Sequence, residues 1–365
     1  MITTSPGIGH IFPQIPTAWA LRAAGHEVLF AAPSNTERVA DAGLLAVDPA
    51  PGFDFRALFM GFIAEHGEGA QQAGLDFVSR LFAQVSAPSV DEVVRLATDW
   101  RQDLMISGPL EGAAGVASAV LGVPNVVHGI GPGQDLGLAT GVARELAETY
   151  QRFRVEHTPA AALLDISPPS MRAPGAAGIP LRCVPFNGGG VLEAWLTRPR
   201  TRPRITVTLG TVVPLTAGIS AIERLTRAAA EVDAEFVLAL GGADPSPLGD
   251  LPANVRVVGW IPLNALLSAS DAVVHHGGAG TALTALAAGI PQLVLPQGAD
   301  QFLNADAVAR TGAGQRVTAE DLDAARLTDL LTDTGKRSAA TKIADELAAQ
   351  PSPADVVPQL VALAR

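Results

Sequence analysis

The sequence predicts an α/β protein of two doubly wound domains, each built on a parallel sheet. Three observations carry this. Short apolar strands alternate with helical stretches over the first third of the 365-residue chain, a Gly/Pro-rich break falls over residues 185–203, and a second alternation opens at residue 204. Strands alternating with helices form parallel sheets with helical crossovers. The length exceeds what one compact core usually holds, which favours two domains.

In the first domain, residues 2–4 read as a strand, 11–24 as a helix ended by Gly25, 27–32 as a strand and 35–41 as a helix. Glycine is the usual residue just past a helix C-terminus. Residues 103–107 and 125–128 are later strands, separated by a small-residue helix over 112–121. A first strand normally runs about five or six residues; only Ile2-Thr3-Thr4 precedes the loop here, and whether that strand is truncated stays open. Between residues 52 and 82 the periodicity weakens. Phe53, Phe55, Phe59, Met60, Phe62, Phe77 and Phe82 crowd this stretch, in a chain with 12 Phe. Long irregular segments in compact domains are often functional.

In the second half, strands are expected at 205–209, 235–240, 255–258, 272–275 and 292–295, with helices at 219–232, 263–269, 280–288 and 301–310. Two helical pieces, 336–349 and 353–364, close the chain. The expected division is residues 1–184, a linker over 185–203, residues 204–350, and a last helix within 351–365 that packs back toward the first domain.

Composition excludes several functions. Hydrophobic residues make up 48% and charged residues 17%, so large cores can form and disorder is excluded. No apolar run is long enough to span a membrane, and residues 1–20 show no basic and apolar leader. The single cysteine, Cys183, rules out an internal disulfide and a Cys-based zinc site. A reducing cytoplasm fits. Net charge is -11, and Lys336 and Lys342 are the only lysines, which argues against a nucleic-acid surface. An acidic protein can still bind a diphosphate through helix N-termini and oriented backbone N–H groups.

One segment points to such a ligand. In Val273-Val274-His275-His276-Gly277-Gly278-Ala279-Gly280-Thr281 a strand runs into a Gly-rich turn and then a helix. This turn lets backbone N–H groups approach phosphate oxygens, and the helix N-terminus adds about half a positive charge. The alternative is a tight βα turn whose glycines serve packing alone. It is not a Walker A loop, because no Lys follows the glycines.

Its flanks are Asn254-Val255-Arg256-Val257-Val258-Gly259-Trp260-Ile261-Pro262 and Gly289-Ile290-Pro291, running on to Pro296-Gln297-Gly298-Ala299-Asp300-Gln301 and Asn304. Together these resemble the nucleotide-sugar signature of the family 1 glycosyltransferases, and in detail the actinomycete enzymes that decorate antibiotics with TDP-deoxysugars. Ser5-Pro6-Gly7-Ile8-Gly9-His10, Phe186-Asn187-Gly188-Gly189-Gly190, Val207-Thr208-Leu209-Gly210-Thr211 and Ile166-Ser167-Pro168-Pro169-Ser170 are most similar to the anthracycline and nogalamycin-type branch. The resemblance spans nearly the whole chain. It implies a GT-B fold, two Rossmann-like domains facing a central cleft, and a metal-independent, inverting transfer from a TDP-deoxysugar to a small aromatic polyketide.

The resemblance also implies roles. Trp260 and the Ile261 backbone would hold the thymine; His275, His276, Gly277, Gly278, Gly280, Thr281 and Thr211 would bind the diphosphate; Asp300 and Gln301 would address the sugar hydroxyls. Trp260 could equally be core, and Asp300 could cap the helix that starts at Gln301. His10 would be the general base, since a neutral imidazole near a helix N-terminus can take a hydroxyl proton. His275 would stabilise the leaving diphosphate. The acceptor would meet Phe53, Phe59, Phe62 and Phe77 on a mobile wall, and His128 at the carboxyl edge of its strand.

The chain departs from its relatives at Gly108, where many carry an Asp that pairs with the base histidine. Glu111 could replace it or could be a solvated or capping residue; His275 or His276 could serve as the partner group. Without a close carboxylate, His10 is expected to titrate near 6.5. The loop Gly131-Pro132-Gly133-Gln134-Asp135-Leu136-Gly137 misses the dinucleotide fingerprint, and Asp321-Leu322-Asp323 reads as a capping segment rather than a metal site. No cofactor and no metal are expected beyond the TDP-sugar. A homodimer or an activator protein is compatible with the resemblance but not indicated by it. The rivals are a GT-B auxiliary protein that assists a partner transferase, and a GT-B nucleotide-sugar epimerase or hydrolase.

Overall fold

The computed structural model describes residues 1–66, 74–172, 177–210, 220–242, 244–298 and 300–364. It divides into two compact units. The first comprises residues 1–167, 172–182 and 350–365; the second comprises 168–171 and 183–349.

The first unit holds a seven-stranded sheet. Its strands are β1 (Ile2–Thr3), β2 (Leu29–Ala31), β3 (Leu45–Val47), β4 (Met105–Ser107), β5 (Asn125–His128), β6 (Ala162–Asp165) and β7 (Ile179–Pro180), in the order β3-β2-β1-β4-β5-β6-β7. Every pairing is parallel. Strand order reverses between β1 and β4, and the crevice beyond the carboxyl ends of such strands is where ligands bind in this class of sheet. Short as it is, β1 is central: Ile2 pairs with both Phe30 and Ile106. A short strand suffices because Ile2, Phe30 and Ile106 are all buried.

The irregular stretch expected over residues 52–82 is instead largely helical, with helices Phe55–His66 and Gly74–Ser86. Phe62, Leu81 and Val85 form their shared core, with Phe53, Phe55, Phe59, Phe77 and Phe82 packed on it. The last helix, Pro353–Leu363, belongs to the first unit and packs on helix Ile15–Ala23. A capping box between Ser352 and Asp355 starts it.

The second unit holds six strands: β8 (Arg204–Thr208), β9 (Glu235–Ala239), β10 (Val255–Val258), β11 (Ala272–His275), β12 (Gln292–Val294) and β13 (Gly314–Arg316), in the order β10-β9-β8-β11-β12-β13. All pairings are again parallel, and the order reverses between β8 and β11. The buried runs of β8 and β11 read as continuous apolar or Thr-rich sequence because helices cover both faces. Residues of the 185–203 segment pack into this unit: Trp195 lies under the guanidinium groups of Arg204 and Arg256, at 4.7 and 4.8 Å from its ring centroid.

Candidate active site

Both sheets place a loop with chemical side chains at the carboxyl edge beside the strand-order reversal. In the first unit, the loop after β1 leads into a short helix, Ile8–Ile11, that carries His10. Gly7 sits at φ 102°, a conformation natural to glycine, and its carbonyl accepts from the His10 N–H at 3.1 Å. The His10 ring packs on Phe82 with centroids 5.7 Å apart. Phe82 lies 6.5 Å from Phe55, which stacks on Phe59 at 5.9 Å. An aromatic row therefore runs from the imidazole into the phenylalanine cluster. Its two links nearest His10, Phe82 and Phe55, were legible as part of that cluster but not as neighbours of the histidine.

Burial pushes His10 down to about 4, not the 6.5 expected. Desolvation, which the sequence does not display, is what lowers it. His10 Nδ1 is buried and has no partner.

Glu111 is a buried capping residue, not a solvated one. Its carboxylate accepts from Thr3 Oγ1 at 2.6 Å and from the Ala113 and Ala114 N–H groups at 2.7 and 3.0 Å, at the start of helix Ala113–Leu121. These bonds satisfy orphan donors of the first helical turn. Burial raises its affinity for a proton.

Two expected acceptor residues are placed differently. His128 is fully buried, with Nδ1 2.7 Å from the Gly129 carbonyl and Nε2 2.9 Å from Thr17 Oγ1. Nδ1–H donates to the carbonyl, so Nε2 accepts from the hydroxyl. Both nitrogens are engaged and burial depresses the ring to about 4, so His128 is a core histidine. Phe62 is likewise core, with its ring edge against Phe77 at 5.0 Å. Phe53, Phe59 and Phe77 are only half-buried.

In the second unit, the loop after β11 enters helix Ala279–Ala287. Here the two histidines divide their work. The Gly277 N–H donates to His275 Nδ1 at 3.1 Å, and His275 Nε2 meets Gln292 Oε1 at 2.8 Å. An accepting Nδ1 makes the ring neutral with its proton on Nε2, so both nitrogens are consumed inside the protein. Burial, followed by the neighbouring His276, lowers it to about 3. His275 therefore holds the loop and has no nitrogen left for a diphosphate, contrary to expectation.

His276 keeps one nitrogen, Nδ1, without a partner. Its ring is wedged between two glycines: a Cβ on Gly210 would lie 2.5 Å from its Cε1, and one on Gly278 would lie 2.5 Å from its Nε2. That nitrogen is buried; burial holds the ring near 4, against a hydrogen bond to the Thr208 backbone that acts the other way. No side chain caps the following helix, which leaves N–H groups of its first turn for a ligand. A side chain at Gly280 would meet nothing within 4 Å, so there is room above that turn. Thr281 is half-buried there. Thr211, three residues past β8 in the sequence, lies outside the described residues.

Trp260 is 39% exposed, so it is not core. Gly188, at φ 86°, lies under its indole; a Cβ there would be 3.4 Å from Nε1. Ile261 is half-buried against Val237, Ala239, Val258 and Leu266. Asn187 Oδ1 accepts the Asn264 N–H at 3.0 Å and ties the triple-glycine segment to the helix that follows Trp260.

Asp300 occupies the N-cap position of helix Gln301–Thr311, yet its side chain makes no capping bond. Its Oδ2 instead accepts from Asn304 Nδ2 at 2.8 Å, and the same nitrogen donates to the Gly277 carbonyl at 2.9 Å. Gln301 Oε1 accepts the Gln297 N–H at 2.8 Å. Asn304 thus ties Asp300 to the Gly-rich turn, a link that a one-dimensional reading of an i, i+4 spacing does not reveal. The Asp321 and Asp323 pair is spent locally: Asp321 accepts from Thr318 Oγ1 at 2.9 Å and Asp323 caps helix Ala324–Thr332. Among the described residues, no group of three or more His, Cys, Asp or Glu is placed to hold a metal, and no helix is long and apolar enough to cross a membrane.

Known proteins resemble this chain along nearly its whole length. Residues 19–210 match the erythromycin biosynthesis protein CIII-like N-terminal domain, and residues 223–363 match the corresponding C-terminal domain. The chain is 40% identical to the elloramycin glycosyltransferase of Streptomyces olivaceus over 371 residues, covering 99% of this chain and 96% of that one. It is similar to the crystal structure of the glycosyltransferase SnogD from Streptomyces nogalater, with a TM-score of 0.88, 43% identity, and coverage of 100% and 98%. The glycosyltransferase SsfS6 of Streptomyces sp. SF2575, solved with thymidine diphosphate, matches with a TM-score of 0.86, 29% identity and 99% of each chain. Two parallel-sheet units with these matches along both make the chain a GT-B glycosyltransferase of the erythromycin biosynthesis protein CIII-like family, which serves actinomycete antibiotic pathways.

Proposed function

We propose that the protein transfers a deoxysugar from a TDP-sugar to a hydroxyl of a flat aromatic polyketide, with inversion and without a metal. The observation that carries this reading is the His10 imidazole, kept neutral by burial and set at the end of an aromatic row formed by Phe82, Phe55 and Phe59. A neutral imidazole against stacked rings suits a base that serves an aromatic acceptor.

With Nδ1 directed inward, Nε2 is the nitrogen that meets the acceptor. It takes the hydroxyl proton as the oxygen attacks the anomeric carbon. The bond from that carbon to the diphosphate oxygen breaks, and its electron pair leaves with TDP. Help of this kind is worth about 10²–10⁴-fold. On the donor side, His276 and the first-turn N–H groups of helix Ala279–Ala287 meet the developing diphosphate charge. The exposed Trp260 face stacks on the base, and Asp300 addresses a sugar hydroxyl. The TDP complex of SsfS6 supports the choice of nucleotide.

The test is incubation of the purified protein with a TDP-deoxysugar and an aromatic polyketide aglycone. Glycosylated product is expected. Free sugar without product would indicate a hydrolase, and no reaction would indicate an auxiliary role; either outcome overturns the proposal.

A further inference from the structure

Gly108 offers the proposed base no carboxylate, and a candidate partner approaches from another direction. The backbone runs helically through Ile8–Ile11, Phe12–Gln14 and Ile15–Ala23. Residues four apart on such a segment share a face, so Gln14 follows His10 on the same side. Gln14 is fully buried. Its Nε2 donates to the His10 carbonyl at 3.0 Å, which pins the carboxamide to the histidine's own backbone.

Two buried atoms are then left over. Gln14 Oε1 has no donor, and His10 Nδ1 has no partner. Buried polar groups are almost always paired, and these two are complementary: an amide oxygen accepts, and a neutral imidazole with a bare Nε2 carries its proton on Nδ1. The same carboxamide lies beside Gly108, where a Cβ would come within 3.6 Å of Gln14 Nε2. A side chain at position 108 would compete for this space. Glu111 is not available, because its carboxylate is held by Thr3, Ala113 and Ala114. No charged group contributes to the His10 shift.

The two atoms are not bonded to each other as they stand; we propose that Gln14 is the positioning residue of His10, a shift of the imidazole bringing its Nδ1–H onto Gln14 Oε1 and holding Nε2 bare toward the acceptor. This rests on the reading of His10 as the base. The substitution of an amide for a carboxylate has a chemical consequence. A neutral partner fixes the tautomer and the ring but does not stabilise imidazolium, so the base stays neutral to low pH.

The experiment compares kcat, the acidic limb of kcat/KM and TDP affinity for Gln14→Met, Gln14→Glu and His10→Ala. Gln14→Met should lower kcat about tenfold or more, a part of the 10²–10⁴-fold that a base supplies. TDP affinity, a property of the other unit, should stay unchanged and so report a folded protein. Gln14→Glu should recover kcat relative to Gln14→Met and move the acidic limb to higher pH, since a carboxylate favours imidazolium. Normal kcat in Gln14→Met, or an unmoved limb in Gln14→Glu, overturns the inference. If His10→Ala is inactive while Gln14→Met is normal, the base reading survives and only the role of Gln14 fails; near-normal turnover of His10→Ala removes both.

Discussion

His275 donates from Nε2 to Gln292 Oε1 at 2.8 Å while its Nδ1 accepts the Gly277 N–H at 3.1 Å. The ring is a two-ended brace between β12 and the Gly-rich turn. His275→Ala would strand two buried groups, each worth about 1–3 kcal/mol when unpaired. The expected result is a loss of stability on the order of 3 kcal/mol, seen in denaturant melts. His276→Ala should weaken TDP binding in titration calorimetry by more than its loss of a buried ring lowers the melt. A His275→Ala protein that melts normally but fails to bind TDP would place His275 on the phosphate after all.

Asn304 makes a different prediction. Its amide serves the Gly277 carbonyl and the Asp300 carboxylate at once. Asn304→Leu removes both bonds and frees Asp300 to rotate. Hydrogen bonds to charged groups are worth about 1.5–3 kcal/mol, so affinity for a TDP-sugar should fall about tenfold or more. Affinity for TDP alone should fall less, because Asp300 is assigned to the sugar. Equal losses for the two ligands would show that Asn304 acts on the turn only.

The phenylalanine cluster separates into core and surface. Phe62→Ala should cost about 3–5 kcal/mol of stability, as for other buried Phe, with acceptor kinetics intact in whatever protein folds. Phe82→Ala and Phe55→Ala, which shorten the row leading from His10, should raise the acceptor KM and leave the donor KM nearly alone. Thermal melts and steady-state kinetics on the three variants check this. An acceptor KM that follows Phe62 rather than Phe55 and Phe82 would reverse the assignment.

These contrasts show where sequence was informative. Strands β5, β10 and β11 were legible to the residue: β5 and β11 are interior strands read from short apolar runs, and β10, although at the sheet edge, keeps Val255, Val257 and Val258 in alternation with Arg256 before Gly259. The edge strand β13, Gly-Gln-Arg, carries no such run; β3 lies within one, residues 44–47 between Gly43 and Asp48, and was passed over although its residues were there to read. Helix Gly74–Ser86 was readable in principle, since Val78, Leu81, Phe82 and Val85 recur at helical spacing, yet the neighbouring Phe residues on several faces blurred the period. At the sites, residue types pointed to the right loops. Which of two adjacent histidines keeps a free nitrogen, or whether a histidine at a strand end is buried, depends on partners such as Gln292 and Thr17 that lie far away in sequence.

Burial of neutral histidines also fixes a pH dependence. His10, His128 and His276 are depressed to about 4 and His275 to about 3, each chiefly by desolvation. In the unfolded chain these rings take up protons near 6.5. Below that pH the unfolded state binds more protons than the folded one, so stability falls as pH falls. The stabilisation is full above about 6.5 and is lost progressively down to about 4. For the fully buried His128 alone the loss is about 3 kcal/mol at the acid end, since one pKa unit corresponds to about 1.4 kcal/mol. His128→Phe, which removes the titrating group, should therefore flatten the stability profile between pH 6.5 and 4, whatever its effect at neutral pH. The catalytic profile should differ from the stability profile. If His10 is the base, the acidic limb of kcat/KM should fall near pH 4 to 5, well below the ordinary histidine range, provided the protein is still folded there. Rates measured alongside circular dichroism at each pH separate the two effects. An acidic limb near 6.5 in a fully folded enzyme would mean that the His10 imidazole is solvated during turnover, and that burial does not set its proton affinity.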